Sequence, residues 1–397
     1  MRWLLVLLPL VACSLTVADA PAQTPFALQG LGQNVETGSA RDTGRGGWGL
    51  ADRDTLVPGA LNQAALADLR YAQLLFSGRG VRTLDSGPER DRTTWRTQLP
   101  SVRLAVPLRD ARLALHTGFN MKRSFVYESF HVYDIERFGE PVPVDEEYER
   151  TGNLVEIPVG LAWRPLDALA LGVSVNLVRG IVEDRVTQEF GGPGANEYVE
   201  RLDPKGSSFT VSGLWEAPGP FSLGASLTTA HDLDVERSVE LGAVAGDFSA
   251  TETVSMPAAY RAGFMIDLGR HWRFGADGAY TAFGDLGPDT VWGPHVRDEW
   301  SLAAGFERRM HRLARARDYA MPLRFGVRWG RWGHTLGGEP IDERAVSLGT
   351  GLPFRNWLGT IDMAVSYAWI GDEAKNGWES QELSLGLSIS GLERLVF

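Results

Sequence analysis

The sequence predicts an all-β protein: a transmembrane antiparallel β-barrel of about fourteen strands with an N-terminal hatch segment in its lumen. Three observations support this fold class. Bulky apolar residues alternate with small or polar ones over many short stretches, the connections between those stretches alternate in length, and the first part of the mature chain shows no alternation. The predicted domains are a signal peptide at 1–20, the hatch at 21–67 and the barrel at 68–397.

The alternation is clearest in the last stretch, ESQELSLGLSISGLERLVF. Its odd positions from Leu383 to Phe397 are mostly bulky and apolar, and the even positions are mostly Ser and Gly. A period of two is that of a strand with two different faces. VEIPVGLAW, HWRFGADGAYTAF, PLRFGVRWG and WLGTIDMAVSYAWI repeat it. The wet face of a soluble sandwich would favour Thr, Lys and Glu over this much Gly and Ala, so the bulky faces are predicted to meet lipid.

The connections between predicted strands alternate in length. Strands are predicted to start near residues 68, 94, 111, 153, 168, 206, 220, 255, 271, 298, 320, 343, 357 and 380. Short turns are predicted at 108–110, 165–167, 217–220, 268–270 and 353–356, and long linkers at 78–93, 131–151, 183–205, 232–250, 284–297, 331–342 and 371–379. Outer-membrane barrels have short periplasmic turns and long extracellular loops. The basic stretch 308–320 is assigned to the periplasmic end by parity alone.

The first residues, MRWLLVLLPLVACSLTVADA, have the features of an export signal. Arg2 precedes a short apolar core, and Ala18-Asp19-Ala20 is a small-x-small cleavage site, so a signal peptide cut after Ala20 is predicted. The alternative is a lipobox in which Cys13 becomes the lipidated first residue. Because Cys13 is the only cysteine, the mature chain forms no internal disulfide under either interpretation.

Residues 21–67 are rich in Gly, Asp and Thr. A barrel of this size is too wide for its own side chains to fill, so the segment is predicted to plug the lumen. Its stretches TPFALQGLGQ, SARDTGRGGWGLAD and LNQAALADL resemble the FadL-type outer-membrane transporters of long-chain fatty acids and aromatic hydrocarbons. QLPSVRLAVPLRDARLALHTGFN and SMPAAYRAGFMIDLGRHWRFGADGAY resemble strand pairs of the same family.

The resemblance implies a fourteen-stranded barrel with an N-terminal hatch. It also implies passive uptake of hydrophobic molecules that leave sideways through a gap in the wall. LNQAALADL corresponds to the family's Asn-Pro-Ala segment, and there the chain departs from the pattern, since Gln63 follows Asn62 where the family has Pro.

Candidate ligand-binding residues lie on both the hatch and the wall: Phe26, Trp48, Asn62, Arg103, Arg324 and Arg328. The arginines are predicted to project inward, and a guanidinium can hold an anionic headgroup such as a carboxylate by two hydrogen bonds. The other inward charges predicted by parity are Arg112, Arg164, Arg261, Arg273, Glu156, Asp267, Asp277, Glu307 and Asp362. The alternatives are an ion-paired wall for the charges, and packing against that wall for Phe26 and Trp48.

No motif in the chain predicts catalysis or a cofactor. GRGGWG (44–49) fits G-x-G-x-x-G, but no buried strand precedes it and no helix follows, so it is interpreted as hatch turns. H-E-x-x-H and G-x-S-x-G are absent, and His116 has no evident Ser partner, so a lumen hydrogen-bonding role is expected for it. No metal site is predicted. A net charge of -11 does not suit nucleic acid.

The predicted function is therefore passive transport of hydrophobic or amphipathic small molecules across the outer membrane of a Gram-negative bacterium. The expected partners are that substrate, outer-membrane lipid and lipopolysaccharide, and the barrel assembly machinery, whose signal the terminal Phe397 resembles. The alternative is a non-transport barrel that anchors a secretion or surface complex through its long loops.

Overall fold

The computed structural model describes residues 24–28, 30–52, 61–88, 91–108, 112–137, 139–190, 195–242, 248–286, 290–293, 295–309, 311–312, 319–354 and 359–393. The predicted signal peptide, the alternative lipidation at Cys13 and the terminal Phe397 lie outside these residues. Within them, antiparallel strands form a closed barrel of 14 strands, which confirms the predicted fold class. No helix of the described chain is long and apolar enough to cross a membrane.

The barrel strands follow one another in chain order, and three of them are interrupted. They are β1 (Ala72–Ser86), β2 (Arg92–Pro107), β3 (Leu113–Ser124 and Tyr127–Arg137), β4 (Glu140–Leu166), β5 (Leu169–Glu189), β6 (Ala195–Glu216), β7 (Phe221–Thr228 and His231–Leu241), β8 (Phe248–Met256 and Ala259–Leu268), β9 (Trp272–Thr281), β10 (Glu299–Arg308), β11 (Leu323–Leu336), β12 (Glu339–Phe354), β13 (Gly359–Gly371) and β14 (Glu379–Glu393). β14 pairs with β1 from Glu393 opposite Ala72 to Glu379 opposite Ser86, which closes the sheet.

The alternation separates an outer from an inner face as predicted. On β5, Val173 and Val175 point outward and are 50% and 40% exposed, whereas Ser174 and Asn176 between them are buried. On β14, Leu385 is 56% exposed and Ser388 is buried. Bulky outward side chains over a small or polar inner face are the pattern of a barrel that sits in lipid.

The short connections among the described residues agree with the sequence, with small shifts, whereas the turns predicted at 108–110 and 353–356 lie partly outside those residues. Turns at 217–220 and 269–271 lie where they were predicted, and β4 continues through Leu166, so the turn after it is only Asp167 and Ala168. The stretch 308–320 joins β10 to β11 at this same end, through a small ladder between His311–Arg312 and Tyr319–Ala320. The prediction that 308–320 lies at the same end of the barrel as the short turns therefore agrees with the strand order.

Most of the predicted long linkers are wrong, because the strands continue through them. The ranges 78–93, 131–151, 183–205, 232–250 and 331–342 are largely strand, and only 284–297 and 371–379 remain mainly loops, beside or around the helices Phe283–Asp285 and Glu373–Asn376. β4 and β5 stay paired as far as Asp145 opposite Glu189. Beyond an apolar layer the outer face of a strand meets water, so charged residues replace bulky apolar ones on that face while the ladder continues.

β3 to β8 therefore extend past the rest of the barrel at one end. This extension is the projecting sheet, made of residues 127–137, 140–152, 181–189, 195–205, 231–241 and 248–256. Its inner face carries buried apolar side chains, among them Val182, Leu202 and Val235, which pack with Phe283 and Trp292 of the 282–298 loop. Its outer face is rich in Asp and Glu.

The described residues of the N-terminal segment, 24–28, 30–52 and 61–71, lie inside the barrel. Its helix Ala40–Gly44 contacts β11 to β14, and its helix Gln63–Asp68 contacts β2 to β6 on the other side. Ser39 begins the first helix with a capping box, in which Asp42 Oδ2 accepts from the Ser39 N–H at 2.9 Å. A two-residue strand, Gln33–Asn34, pairs with the end of the first segment of β3. The predicted domain boundaries remain a prediction.

Candidate functional site

A cavity of about 340 Å³ lies between the N-terminal segment and the barrel wall. The segment contributes residues 33–37, 47, 50, 61 and 63 to its lining, and most of the barrel strands contribute the rest. The lining combines charged side chains with apolar ones. This volume is within the range of small-molecule sites, about 300–1,000 Å³.

Two cations share one carboxylate on the wall of this cavity. Lys122 Nζ lies 3.4 Å from Glu156 Oε2, and Arg261 on β8 also interacts electrostatically with Glu156. Arg103 on β2 lies near them and interacts with both Glu156 and Asp42. One negative charge does not neutralise two positive ones, so the group Lys122, Arg261 and Glu156, the cationic cluster, leaves a positive potential that favours an anion.

A second charged group, by contrast, is balanced by its own members. Arg328 Nη1 and Arg79 Nη2 lie 2.9 and 3.0 Å from Glu36 Oε2, which belongs to the N-terminal segment. Arg328 Nη2 also lies 2.6 Å from Glu343 Oε1. These pairs tie the segment to β1 and β11 across the lumen. Arg328 therefore lines the cavity as an ion-paired residue.

The apolar side of the cavity comes from strands β4 to β8 and from the loop above them. Leu154, Val178, Leu233, Met256 and Phe283 both line the cavity and belong to one buried apolar cluster. Leu154 lies two positions before Glu156 on the same strand, so the apolar side begins directly beside the cationic cluster. The cavity is therefore amphipathic.

Two of the six predicted ligand residues line the cavity, Arg103 and Arg328. Arg324 instead lies in a buried ion-pair network, with Nε 2.9 Å from Glu307 Oε1 and Nη1 2.7 Å from Asp362 Oδ1. Arg41 of the N-terminal segment joins the same network, with Nη2 2.7 Å from Glu307 Oε2. The role of Arg324 in this geometry is to hold the segment against the wall.

Phe26, Trp48 and Asn62 lie outside the cavity lining in packing or capping positions. The Phe26 ring packs edge-on against Trp332, with centroids 6.2 Å apart. Trp48 is fully buried under the Arg45 guanidinium, which lies 4.2 Å from the ring centroid. Asn62 Nδ2 donates to the Leu50 carbonyl at 2.6 Å. That the six residues bind a ligand remains a prediction.

The structure also gives the positions of GRGGWG, His116 and Arg112. Gly46 and Gly47 have φ of 86° and 97°, so GRGGWG forms turns after the first helix, as expected. His116 is buried beside Arg103, but neither of its ring nitrogens bonds to a described residue. Arg112 is not an inward wall residue, because it precedes β3 and its half-exposed side chain pairs with Asp167 at 2.7 Å in the adjacent turn.

The sequence reasoning missed Lys122 and Arg123. Lys122 shares the parity of His116, so the alternation could have placed it inward. Arg123 has the opposite parity, and it turns inward because β3 and β4 change register between Met121 and Arg123. Such a bulge changes the face of the sheet to which nearby side chains point, and a period-two sequence pattern does not reveal it. Arg123 Nη2 lies 2.5 Å from Glu299 Oε2 at the cavity wall.

The wall opens beside this site. β2 and β3 pair from Pro107 opposite Ala114 as far as Ser101 opposite Asn120, and then part. Beyond that point, and among the described strands, β2 pairs only with β1, whereas β3 pairs with β4 and with the short strand Gln33–Asn34. Lys122, Arg123 and Gln98, which flank the separation, line the cavity. The cavity thus adjoins a gap between neighbouring strands.

Several solved structures have a fold similar to that of this chain. No family model and no curated protein matches the sequence. Among solved structures, a Pseudomonas aeruginosa FadL homologue superposes with a TM-score of 0.61 at 15% identity, over 91% of this chain and 99% of that one. The Ralstonia pickettii toluene transporter TbuX gives 0.61 at 13% identity, over 91% and 100%. The Pseudomonas putida toluene transporter TodX gives 0.55 at 14%, over 92% and 100%.

At these identities the likeness concerns the fold, and it extends over nearly the whole length of each chain. The resemblance inferred from the N-terminal motifs is confirmed at that level, since the structural neighbours come from the same group of barrels. The chain has the FadL-like barrel fold.

Proposed function

We propose that the protein is an outer-membrane channel of a Gram-negative bacterium, for passive uptake of hydrophobic or amphipathic small molecules. The observation that carries the proposal is the amphipathic cavity between the N-terminal segment and the wall, beside the gap between β2 and β3. A channel for such molecules needs an interior site that water-filled pores lack, and this cavity supplies one. The solved neighbours, named as transporters, support the same conclusion.

The charges of the cavity favour an amphipathic anion over a plain hydrocarbon. A carboxylate beside Lys122 and Arg261 would neutralise part of the surplus charge of the cationic cluster. Its tail would then contact Leu154, Val178 and Met256 on the apolar side, and burial of apolar surface contributes about 25 cal/mol per Å². A plain hydrocarbon would gain only the second contribution and would have to desolvate the cations without compensation.

The N-terminal segment is proposed to act as the hatch. It borders the cavity, its short strand lies at the gap, and the ion pairs at Glu307 and Glu36 hold it to the wall. Outward apolar side chains would contact outer-membrane lipid and lipopolysaccharide. The barrel assembly machinery is the expected partner in insertion. The proposed role is transport without catalysis.

Growth of a deletion strain on long-chain fatty acids or hydrocarbons as sole carbon source tests the function in cells. The expected result is impaired growth on at least one of these substrates, restored by the intact gene. Unimpaired growth on all of them would contradict the proposal.

Uptake into proteoliposomes tests the cavity directly. The double variant Lys122→Met/Arg261→Met is expected to slow uptake of a long-chain carboxylate at least about tenfold, since each cation contributes on the order of 1 kcal/mol or more near a low-dielectric wall. Uptake of the matching long-chain alcohol should change little. The control Lys205→Met/Arg297→Met removes two exposed cations outside the cavity and should behave like the wild type. Equal losses for carboxylate and alcohol would contradict the assigned anion site.

A specific observation also favours an interaction role, the alternative considered for this chain. The projecting sheet extends well past the barrel and carries unpaired strand edges. A cavity and a docking surface are compatible in one barrel, because they lie on different parts of it.

A further inference from the structure

The projecting sheet ends in unpaired strands. The Tyr127–Arg137 segment of β3 pairs with β4 on one side, and no described strand pairs with it on the other. This free edge is 11 residues long, and the Glu128 carbonyl near its start accepts from Arg92 Nη1 at 2.8 Å. Beyond Glu128, the unpaired backbone N–H and C=O groups of the edge form a template on which another strand can add.

The side chains of this edge include two exposed apolar residues. Phe130 is 52% exposed and Val132 is 75% exposed. They lie two positions apart, so they share the outer face of the sheet. The residues opposite them on β4 are Glu147 and Asp145. The apolar pair is thus set in acidic surroundings.

Most of the carboxylates around this pair form no ion pair with a described side chain. They are Asp134 and Glu136 on the edge strand, and Asp145 and Glu147 on β4. Glu149, by contrast, lies opposite Arg185 of β5 and interacts electrostatically with it. Elsewhere in the projecting sheet such pairs do form, as between Arg237 and Glu200 at 2.7 Å. The free edge therefore holds uncompensated negative charge next to exposed apolar surface.

We propose that the Tyr127–Arg137 edge binds an extended, basic segment of a partner protein by strand addition. The backbone of the added strand would pair with the free edge. On the outer face of that strand, apolar side chains would contact Phe130 and Val132, and Lys or Arg residues further along the same face would approach Asp134 and Glu147. A second copy of this chain is the poorer occupant, because two such edges would bring like charges opposite each other. This interaction is independent of the proposed transport.

Peptide binding to the purified full-length barrel in detergent tests the proposal. The probe is a labelled eleven-residue peptide, the Lys–Val peptide, which carries Lys and Val at every second position, on one face of the strand, and Thr at the positions between them. We expect it to bind at least about tenfold more tightly than its Glu–Val counterpart, because charge complementarity selects the partner. Two versions of the Lys–Val peptide, N-methylated on one or the other backbone edge, separate strand addition from plain charge attraction. Only the version methylated on the pairing edge should lose binding, by about tenfold or more.

Variants of the protein locate the site. Asp134→Asn/Glu147→Gln should weaken Lys–Val binding at least about fivefold. The control Asp234→Asn/Glu240→Gln removes two exposed charges from β7 of the same sheet, four strands from the Tyr127–Arg137 edge, and should stay within about twofold of the wild type. Carboxylate uptake into liposomes should be unchanged in both variants, so failure here is distinct from failure of the proposed function.

Three results would overturn the proposal. One is equal loss in the two charge variants, and another is equal binding of both N-methylated peptides. The third is binding of lipopolysaccharide with Mg²⁺ to the wild type but not to Asp134→Asn/Glu147→Gln, together with equal binding of the Lys–Val and Glu–Val peptides. That outcome would assign the edge to a lipid instead.

Discussion

The two halves of β5 show how the same ladder serves two surroundings. In the lower half, Val173 and Val175 face outward over the buried Ser174 and Asn176. In the upper half, the strand continues in register with β4 and β6, but it reads EDRVTQE, with charges on both faces. Backbone pairing is continuous, and only the outer medium changes. The apolar alternation therefore indicates which medium lies outside a strand, and it does not indicate how far the strand extends.

Ion pairs differ between the two regions in the same way. In the spanning part, Glu307 and Arg324 are almost fully buried and share partners with the N-terminal segment. In the projecting sheet, Lys205 and Glu236 lie 3.4 Å apart with side chains 54% exposed. A buried pair leaves an uncompensated charge when one member is lost, whereas an exposed pair exchanges its partner for water.

Glu307→Gln should have the largest effect. It removes a carboxylate that Arg41, Arg45 and Arg324 share, and breaking a buried pair costs about 3–5 kcal/mol. The N-terminal segment should detach from the wall and become sensitive to protease while the barrel stays folded. Limited proteolysis and thermal unfolding in detergent measure both effects. A variant as resistant as the wild type would show that the network does not hold the segment.

Val173→Arg and Ile181→Arg form a matched pair on one face of β5. Both side chains point outward, 50% and 47% exposed, and they differ only in height on the strand. Arginine at the bilayer midplane costs about 2–4 kcal/mol, and the cost falls to about 0–1 kcal/mol near the interface. Val173→Arg should therefore lower the free energy of unfolding in lipid vesicles, and Ile181→Arg should not. Equal effects would place the boundary of the apolar layer elsewhere.

Gly326→Ala tests the close contact between wall and segment. A Cβ at Gly326 would lie 1.9 Å from the Gly46 backbone nitrogen, so the segment must move. Overpacking of this kind costs about 1–3 kcal/mol. Gly78→Ala is the control, since its Cβ would meet nothing within 4 Å. The first variant should expose the segment to protease and the second should not. Protection of both would contradict the described contact.

Lys205→Gln should have the smallest effect, below about 1 kcal/mol, because its pair with Glu236 is exposed to water. Thermal unfolding should be the same within error as in the wild type. A loss as large as that of Glu307→Gln would mean that the projecting sheet depends on its ion pairs.

The barrel could be predicted from the sequence because lipid imposes a strict pattern on it. Each spanning strand must put bulky residues outside, and the closing strand must pair with the first, so Leu385 and Val365 could be assigned to the outer face. The projecting sheet could not be predicted in the same way. Water meets its outer face, so stretches such as 183–205 read as polar linkers although they are largely strand.

The site was only partly predictable for a different reason. Parity placed Arg103 and Arg328 on the inner wall, and both line the cavity. Parity cannot tell which inward charge is already paired, and Arg324 forms ion pairs with Glu307 and Asp362. Arg123 depends on a bulge, which is a local change of register without a sequence period. Such details depend on three-dimensional contacts between strands distant in sequence.

A crystal structure of the protein soaked with a long-chain carboxylate would show whether the cavity binds an amphipathic anion. We predict ligand density in the cavity between the N-terminal segment and the wall, with the carboxylate within about 3.5 Å of Lys122 or Arg261 and the tail against Leu154 and Met256. An empty cavity at saturating ligand, or a ligand bound only on the outer surface of the barrel, would contradict it.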